Sequence, residues 1–148
     1  MRYLFLDDCA NVTANIVKGL RAKGMKADYI NRSMGDNADI PSNKLKIGEH
    51  YDVVVISYPY HVWKLMYYWL VKPGKLVVFW HGSDAKQYHK RKPIKDYLRK
   101  KADLNVTSSH YLLDIIPEAK WLGQCLDTEM FKPMKDIKKR EEVFEWGK

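Results

Sequence analysis

Cysteine is scarce in this sequence. The 148 residues contain two cysteines, Cys9 and Cys125, and neither a CxxC motif nor a Cys/His spacing of the kind that binds zinc. A framework of stabilising disulfides needs more cysteines than this and belongs to oxidising compartments. We therefore expect two free thiols and no metal site.

Long hydrophobic runs are absent as well. The longest clearly apolar run, at 65–71, is far shorter than the roughly 20 residues of a membrane-spanning helix. Asp7 and Asp8 interrupt the apolar block near the N-terminus before it reaches the length of a secretory signal. With 46% hydrophobic and 13% aromatic residues, the chain has the composition of a folded protein, and its length fits one domain. We expect a soluble, cytoplasmic, single-domain protein.

Common phosphate-binding motifs are missing. The stretch 6–13, after the first apolar run, contains no GxGxxG motif through which backbone amides could approach a pyrophosphate, and no Walker loop occurs. Asp7 and Asp8 resemble the acidic pair of a response-regulator receiver domain. However, Ser57 and Tyr58 stand where that domain needs a phosphorylatable aspartate. The sequence therefore argues against all three classes.

Positive charge is abundant, with a formal net charge of +8. Much of it lies at 86–101, where eight basic residues accompany the single acidic residue Asp96. Such a segment is often the solvated face of a surface helix, but it also suits an anionic membrane or a nucleic acid. Nucleic acid is the weaker alternative, because the segment lacks interleaved stacking aromatics and a recognition-helix module.

Short apolar runs alternate with helical patterns along the chain. The β-branched run at 51–57 is typical of a strand that is buried on both faces of a parallel sheet. This alternation predicts the α/β class, with a doubly wound, mostly parallel sheet and helices on both faces. The predicted strands are 2–6, 26–31, 51–57, 75–80 after a turn at Pro73-Gly74, 103–109 and 119–123, and the predicted helices are 11–24, 58–70, 93–102 and 110–116.

Polar residues follow several predicted strands at the points where the strands end. For any single strand, ordinary turn chemistry is the more common explanation. Because ligands bind outside the carboxyl ends of parallel strands, however, their joint occurrence predicts one shared crevice. The residues are Asp7, Asp8, Cys9, Ala10 and Asn11 after the first strand, Ser57, Tyr58, Pro59 and Tyr60 after the third, His81, Gly82, Ser83 and Asp84 after the fourth, and Ser108, Ser109 and His110 after the fifth.

The second half of the chain contains short motifs in a recognisable order. They are His81, Gly82 and Asp84 after one strand, Ala102 and Asp103 before the next, Ser108 or Ser109 at its end, and Asp127, Phe131 and Pro133 after the last. This order resembles the N-terminal domain of GT-B glycosyltransferases of the retaining, glycogen-synthase-like group. The resemblance covers most of the chain. It implies a Rossmann-like acceptor-side domain at 1–132 and an interdomain or C-terminal helical segment at 133–148.

The resemblance implies a transfer of sugar from a nucleotide-sugar donor to a sugar or lipid-linked acceptor. A donor-binding C-terminal domain or partner chain would complete the site, and neither a metal nor a cofactor would be needed. His81 and Asp84 would be catalytic. The residues implied to bind substrate are Asp8, Asn11, Tyr58, Gly82, Ser83 and Ser108. The alternative is a non-catalytic sugar- or anion-binding domain of the same fold.

The predicted helix at 58–70 carries an aromatic stripe on one face, formed by Trp63, Met66, Tyr67 and Leu70. A stripe at helical spacing is more often packed into a core than bound to a membrane, and we expect packing. Together with the basic segment, the stripe could instead seat the domain on anionic lipid.

Overall fold

The computed structural model describes residues 1–32 and 40–123. They form one sheet of six strands, all parallel, in the order β2-β1-β3-β4-β5-β6. The predicted α/β class is therefore confirmed. The strands are β1 (Arg2–Leu6), β2 (Lys26–Ile30), β3 (His50–Ser57), β4 (Lys72–Trp80), β5 (Leu104–Thr107) and β6 (Lys120–Trp121), and the helices are α1 (Val12–Ala22), α2 (Val62–Leu70), α3 (Gly82–Lys86), α4 (Lys92–Lys101) and a 3₁₀ helix at His110–Asp114.

Helices cover both faces of the sheet. On one face, Ala14 and Val17 of α1 pack with Phe5, Val55 and Phe79. Because successive side chains of a strand point to opposite faces, the neighbouring strand residues form a second core on the other face. That second core contains Leu4, Leu6, Val54, Ile56, Val78 and Trp80 of the sheet, with Leu65, Tyr68, Leu98 and Leu112 from α2, α4 and the 3₁₀ helix.

The outer edge of β2 is covered by neighbouring segments. Asn43 accepts a hydrogen bond from the Tyr29 amide through its side chain at 2.8 Å and donates its own amide to the Tyr29 carbonyl at 2.6 Å. Arg21 of α1 donates to the Ala27 carbonyl at 2.9 Å, and the Ser42 hydroxyl accepts from the Asn31 amide at 3.1 Å. Three of these four bonds engage outward-facing backbone groups of β2, namely the Tyr29 amide and the carbonyls of Ala27 and Tyr29, and the fourth engages Asn31, just after the strand.

Two local predictions are wrong. Pro73 and Gly74 do not form a turn but lie within β4, where Pro73 is paired with Tyr51. Proline is tolerated near the start of a strand. A side chain on Gly74 would meet the Asp52 carbonyl oxygen at 2.7 Å, so glycine is needed for close packing of the two strands rather than for a turn. The residues after β4, where no helix is predicted, form the short helix α3.

The aromatic stripe predicted to pack into the core faces outward in large part. The buried residues of α2 are Lys64, Leu65 and Tyr68, whereas Met66 and Leu70 are exposed. Trp63 and Tyr67 are half-buried at the border between the two faces. No helix in the described part of the chain is both long enough and apolar enough to span a bilayer.

The predictions for Cys125, for the Asp127, Phe131 and Pro133 motif and for the segment 133–148 lie outside the described residues.

Candidate functional site

A cleft opens at the carboxyl edge of the sheet, where the direction of strand connections reverses. The chain passes from β1 outward to β2 and then crosses back to β3, so the ends of β1 and β3 form the topological switch point at which open α/β sheets bind ligands. The cleft has a volume of about 570 Å³. It is lined by Asp8, Cys9, Tyr58, Tyr60, His61, Ser83 and Gln87.

Asp8 organises the turn that forms one wall of the cleft. Its carboxylate accepts hydrogen bonds from the amides of Thr13 at 2.9 Å and Ala14 at 3.0 Å, both in the first turn of α1. It also accepts from the Cys9 amide at 2.6 Å and the Tyr29 hydroxyl at 3.0 Å. A carboxylate stabilises the N-terminus of a helix, where amides are unpaired. Asp8 is therefore fully engaged in holding this turn.

Backbone strain is concentrated around the cleft. Asp7, Ala10, Asn11 and Tyr58 have positive φ values of 75°, 53°, 60° and 53°. Residues other than glycine rarely adopt this left-handed conformation, and such strained residues cluster at functional sites. All four belong to the turns after β1 and β3.

Lys64 of α2 connects those two strained turns beneath the cleft. Its side chain is fully buried, forms an ion pair with Asp7 and donates hydrogen bonds to the carbonyl oxygens of Ser57, at 2.9 Å, and Tyr58. Burial lowers the pKa of Lys64, and the nearby Asp7 carboxylate opposes that shift. An unpaired buried charge would be very costly, so Lys64 and Asp7 depend on each other.

His81 joins a chain of buried hydroxyl groups. The Thr13 hydroxyl donates to the Ser57 hydroxyl at 2.9 Å, and the Ser57 oxygen lies 2.8 Å from His81 Nε2. With Thr13 donating to Ser57, the Ser57 proton is available for a hydrogen bond to Nε2 of a neutral imidazole. Burial lowers the pKa of His81 to about 4, in agreement with a neutral ring. The ring packs against Phe79, with centroids 4.5 Å apart.

The predicted place of His81 in a shared crevice requires an accessible imidazole, and this prediction is wrong, because His81 is only 4% exposed. The three bonded residues come from α1, β3 and the end of β4. These hydrogen bonds therefore fix three segments at the carboxyl edge of the sheet relative to one another. The imidazole lies under the cleft rather than on its wall.

Asp84 is also buried. Its Oδ1 accepts from the His81 amide at 2.8 Å, whereas Oδ2 has no hydrogen-bond partner among the described residues. Burial raises the pKa of Asp84 to about 7. The fully buried Lys95 of α4 donates to the Asp84 carbonyl at 2.7 Å and to the Gln87 carbonyl at 2.8 Å, and so holds α3 against α4.

Apart from Asp8, whose carboxylate is bonded to the turn before α1, the wall of the cleft is largely aromatic. The rings of Tyr58 and Tyr60 lie 6.1 Å apart, and Ser83 donates to the Tyr58 hydroxyl at 3.2 Å. Burial and the nearby Lys64 lower the pKa of His61, so its imidazole is neutral near pH 7. Burial and three nearby aspartates raise the pKa of the Cys9 thiol, which argues against a reactive thiolate.

The predicted substrate-binding residues divide into two groups. Asp8, Tyr58 and Ser83 line the cleft. Asn11, exposed at the start of α1, Gly82 and Ser108 are not among its lining residues. A side chain on Gly82 would lie 2.8 Å from the Tyr111 hydroxyl, and the Ser108 carbonyl accepts from the Trp121 indole at 3.4 Å. Gly82 and Ser108 therefore lie against other residues of the protein rather than along the cleft.

The two buried lysines were missed because lysine is usually exposed. Their positions in the sequence do carry information. Lys64 precedes the buried Tyr68 by four residues, and Lys95 precedes the buried Leu98 by three, so each lies on the apolar face of its helix.

Within 1–32 and 40–123, no three His, Cys, Asp or Glu residues are grouped so that they could hold a metal ion. Comparison of the chain with protein-family models, with curated proteins and with solved structures finds no match. The fold and the cleft define a Rossmann-like α/β domain with a candidate ligand site at its switch point.

Proposed function

We propose that this chain is the acceptor-side half of a GT-B-type glycosyltransferase and that its switch-point cleft binds the sugar or lipid-linked acceptor. A second, donor-binding domain or chain supplies the nucleotide-sugar site. The observation that carries the proposal is the composition of the cleft wall. Two tyrosine rings stand beside the Ser83 hydroxyl and the Gln87 amide, without a free charged group among the described lining residues.

This wall suits a polyhydroxylated molecule. The flat tyrosine faces can cover the apolar C–H face of a sugar ring, and the hydroxyl and amide groups can exchange hydrogen bonds with its hydroxyls. Small-molecule sites commonly combine aromatic walls with a few orienting polar groups. The order of motifs from His81 to Pro133 supports the same class.

His81 and Asp84 have positioning roles in this proposal. The imidazole is bonded to Ser57 and buried, and Asp84 holds the His81 amide. They set the position of Ser83 in α3 and of Gln87 directly after it, both of which line the cleft. Their predicted catalytic roles require substrate contact, which a rearrangement on docking of the donor domain would have to provide.

Acceptor binding can be tested by saturation-transfer difference NMR with a panel of simple glycosides. Tyr58→Gly removes a ring and suits the left-handed backbone at this position, so it should weaken glycoside binding about tenfold without adding strain. Tyr60→Ala should have a similar effect. Tyr97→Ala removes an exposed tyrosine on α4, outside the cleft, and should leave glycoside binding unchanged.

Equal loss of binding in the Tyr97 control, or no glycoside binding by the wild-type chain at millimolar concentrations, would overturn the assignment of the cleft. Binding of inorganic phosphate or sulfate in place of glycosides would favour an anion-binding domain.

The burial of both implied catalytic groups favours a second candidate, a non-catalytic sugar-binding domain. Immunodepletion of the chain from an extract of its source cells distinguishes the two. If the chain is half of a transferase, the depleted extract should lose the transfer of sugar to the glycoside that the chain binds. Addition of the purified chain should restore that transfer. A binding-only domain should leave transfer unchanged.

A further inference from the structure

An exposed apolar ridge runs along the outer face of α2. Val62, Met66, Trp69 and Leu70 are 42%, 52%, 60% and 40% exposed, and their spacing of four, seven and eight residues places them on one side of the helix. Tyr97 of α4 extends this surface, since its ring meets that of Trp69 with centroids 6.1 Å apart. We call these five residues, together with the exposed Ile47, the α2 ridge.

Ile47 joins the ridge at the C-terminal end of α2. The amide of the next residue, Gly48, donates to the Leu70 carbonyl at 2.8 Å, which brings Ile47 beside the end of the helix. Large exposed apolar side chains that cluster in this way are uncommon on monomeric soluble proteins and mark interaction surfaces.

The charge around the α2 ridge is mainly positive, although Asp96 directly precedes Tyr97 and Glu49 follows Gly48. The three segments that form the ridge and its border, 44–47, 62–72 and 97–101, contain no aspartate or glutamate. Lys72 lies two residues after the end of α2, and Lys100 and Lys101 lie one helical turn after Tyr97 in α4. All three lysines are exposed, as are Lys44 and Lys46.

We propose that the α2 ridge binds an anionic membrane surface, with Trp69, Met66 and Leu70 entering the interfacial region and the surrounding lysines contacting lipid phosphates. Apolar and aromatic side chains bordered by lysine are the usual composition of helices that lie in the plane of a bilayer. Trp and Tyr favour the headgroup level because their rings are apolar with one polar atom. A nucleic acid would use the lysines but would leave Met66, Leu70 and Ile47 in water.

The proposal is independent of sugar transfer and is tested by sedimentation with vesicles. The purified chain should bind vesicles of phosphatidylcholine mixed with phosphatidylglycerol and should bind weakly to phosphatidylcholine alone. Replacing both Lys100 and Lys101 by Gln should reduce partitioning about thirtyfold, the combined effect of two surface cations. Replacing both Met66 and Trp69 by Ser should reduce it at least tenfold.

Matched variants on the opposite side of the molecule serve as controls. Lys23→Gln with Lys26→Gln removes the same charge from the turn between α1 and β2, and Met25→Ser removes an exposed apolar residue there. Each control should retain wild-type binding within a few-fold. Because all substituted side chains are exposed, every variant should keep the wild-type thermal unfolding midpoint, which is measured in parallel.

Failure of the wild-type chain to sediment with anionic vesicles would overturn the proposal. Equal losses of vesicle binding in the α1–β2 control variants would also overturn it, because they would mean that net charge alone attracts the protein to the vesicles. Salt-sensitive binding to RNA or DNA that persists in the Met66/Trp69 variant would assign the surface to nucleic acid. Concentration-dependent self-association that the same variant abolishes would assign it to contact between copies of the chain.

Discussion

At the scale of single residues, His81 and Asp84 are the most informative, because burial shifts their pKa values in opposite directions. The pKa of His81 falls to about 4 and that of Asp84 rises to about 7. A depressed histidine pKa gives stability that is present above pH 6.5 and is lost as the pH falls to about 4. A raised aspartate pKa gives stability that is present below pH 4 and is lost as the pH rises to about 7.

We therefore expect these two contributions to oppose each other in the wild-type chain between about pH 4 and pH 6.5. Asp84→Asn keeps an acceptor for the His81 amide and removes the acid, so its stability relative to wild type should increase towards pH 7. His81→Gln should show the opposite trend. Each change should reach on the order of 3 kcal/mol, measured by urea unfolding at a series of pH values.

The comparison with wild type at each pH removes the contributions of the titrating groups that neither substitution changes. Parallel pH profiles for the wild type and both variants would contradict the assignment of these two pKa values.

At the scale of secondary structure elements, the buried ion pair of Lys64 and Asp7 connects α2 to the end of β1. Lys64→Met removes the cation beside the buried Asp7 carboxylate and should lower the free energy of unfolding by about 3–5 kcal/mol. Asp7→Asn combined with Lys64→Met removes both charges and suits the left-handed backbone at position 7. The double variant should be more stable than Lys64→Met alone.

Chemical denaturation of the two single variants and the double variant gives the coupling energy between the residues. Additive losses would show that the contacts of Lys64 with the Ser57 and Tyr58 carbonyls, rather than its pairing with Asp7, hold α2 in place.

Two glycines in regular elements provide a second test at this scale. Gly74→Ala in β4 places a carbon 2.7 Å from the Asp52 carbonyl oxygen and should destabilise the protein by about 1–3 kcal/mol. Gly19→Ala in α1 meets nothing within 4 Å and should stabilise it by up to about 1 kcal/mol. Thermal unfolding of both variants measures the difference. A neutral Gly74→Ala variant would mean that the two strands can separate slightly at no cost.

The strands were predictable from the sequence, whereas parts of the site were not. Val53 to Ile56 are β-branched and apolar, so local composition and burial agree. The helix α3 begins with Gly82 and has only five residues, so it is too short for a helical period to be visible in the sequence. The meeting of Thr13, Ser57 and His81 depends on the order of the strands, which the alternation of elements leaves open.

At the scale of the whole molecule, the proposed function requires a second domain or chain. In that proposal the described residues provide the acceptor cleft, and the groups that stabilise the departing nucleotide belong to the donor side. The purified chain should therefore show no sugar transfer above background and only weak affinity for nucleotide sugars.

A transfer assay over the common nucleotide sugars, together with sedimentation velocity, tests this expectation. Robust turnover by the monomer would contradict the half-site proposal. Turnover that appears only in a dimer would show that a second copy completes the cleft.

The covered outer edge of β2 affects how the protein behaves at high concentration. A free strand edge offers a template onto which a second chain can add its own strand, a common first step towards amyloid-like aggregation. In β2 the Ala27 carbonyl on that edge is already bonded to Arg21, and the Tyr29 amide and carbonyl are bonded to Asn43. Another chain would first have to displace both residues, and at the opposite end of the sheet β6 offers only Lys120 and Trp121. Growth of the sheet into a fibril is thus hindered at both ends.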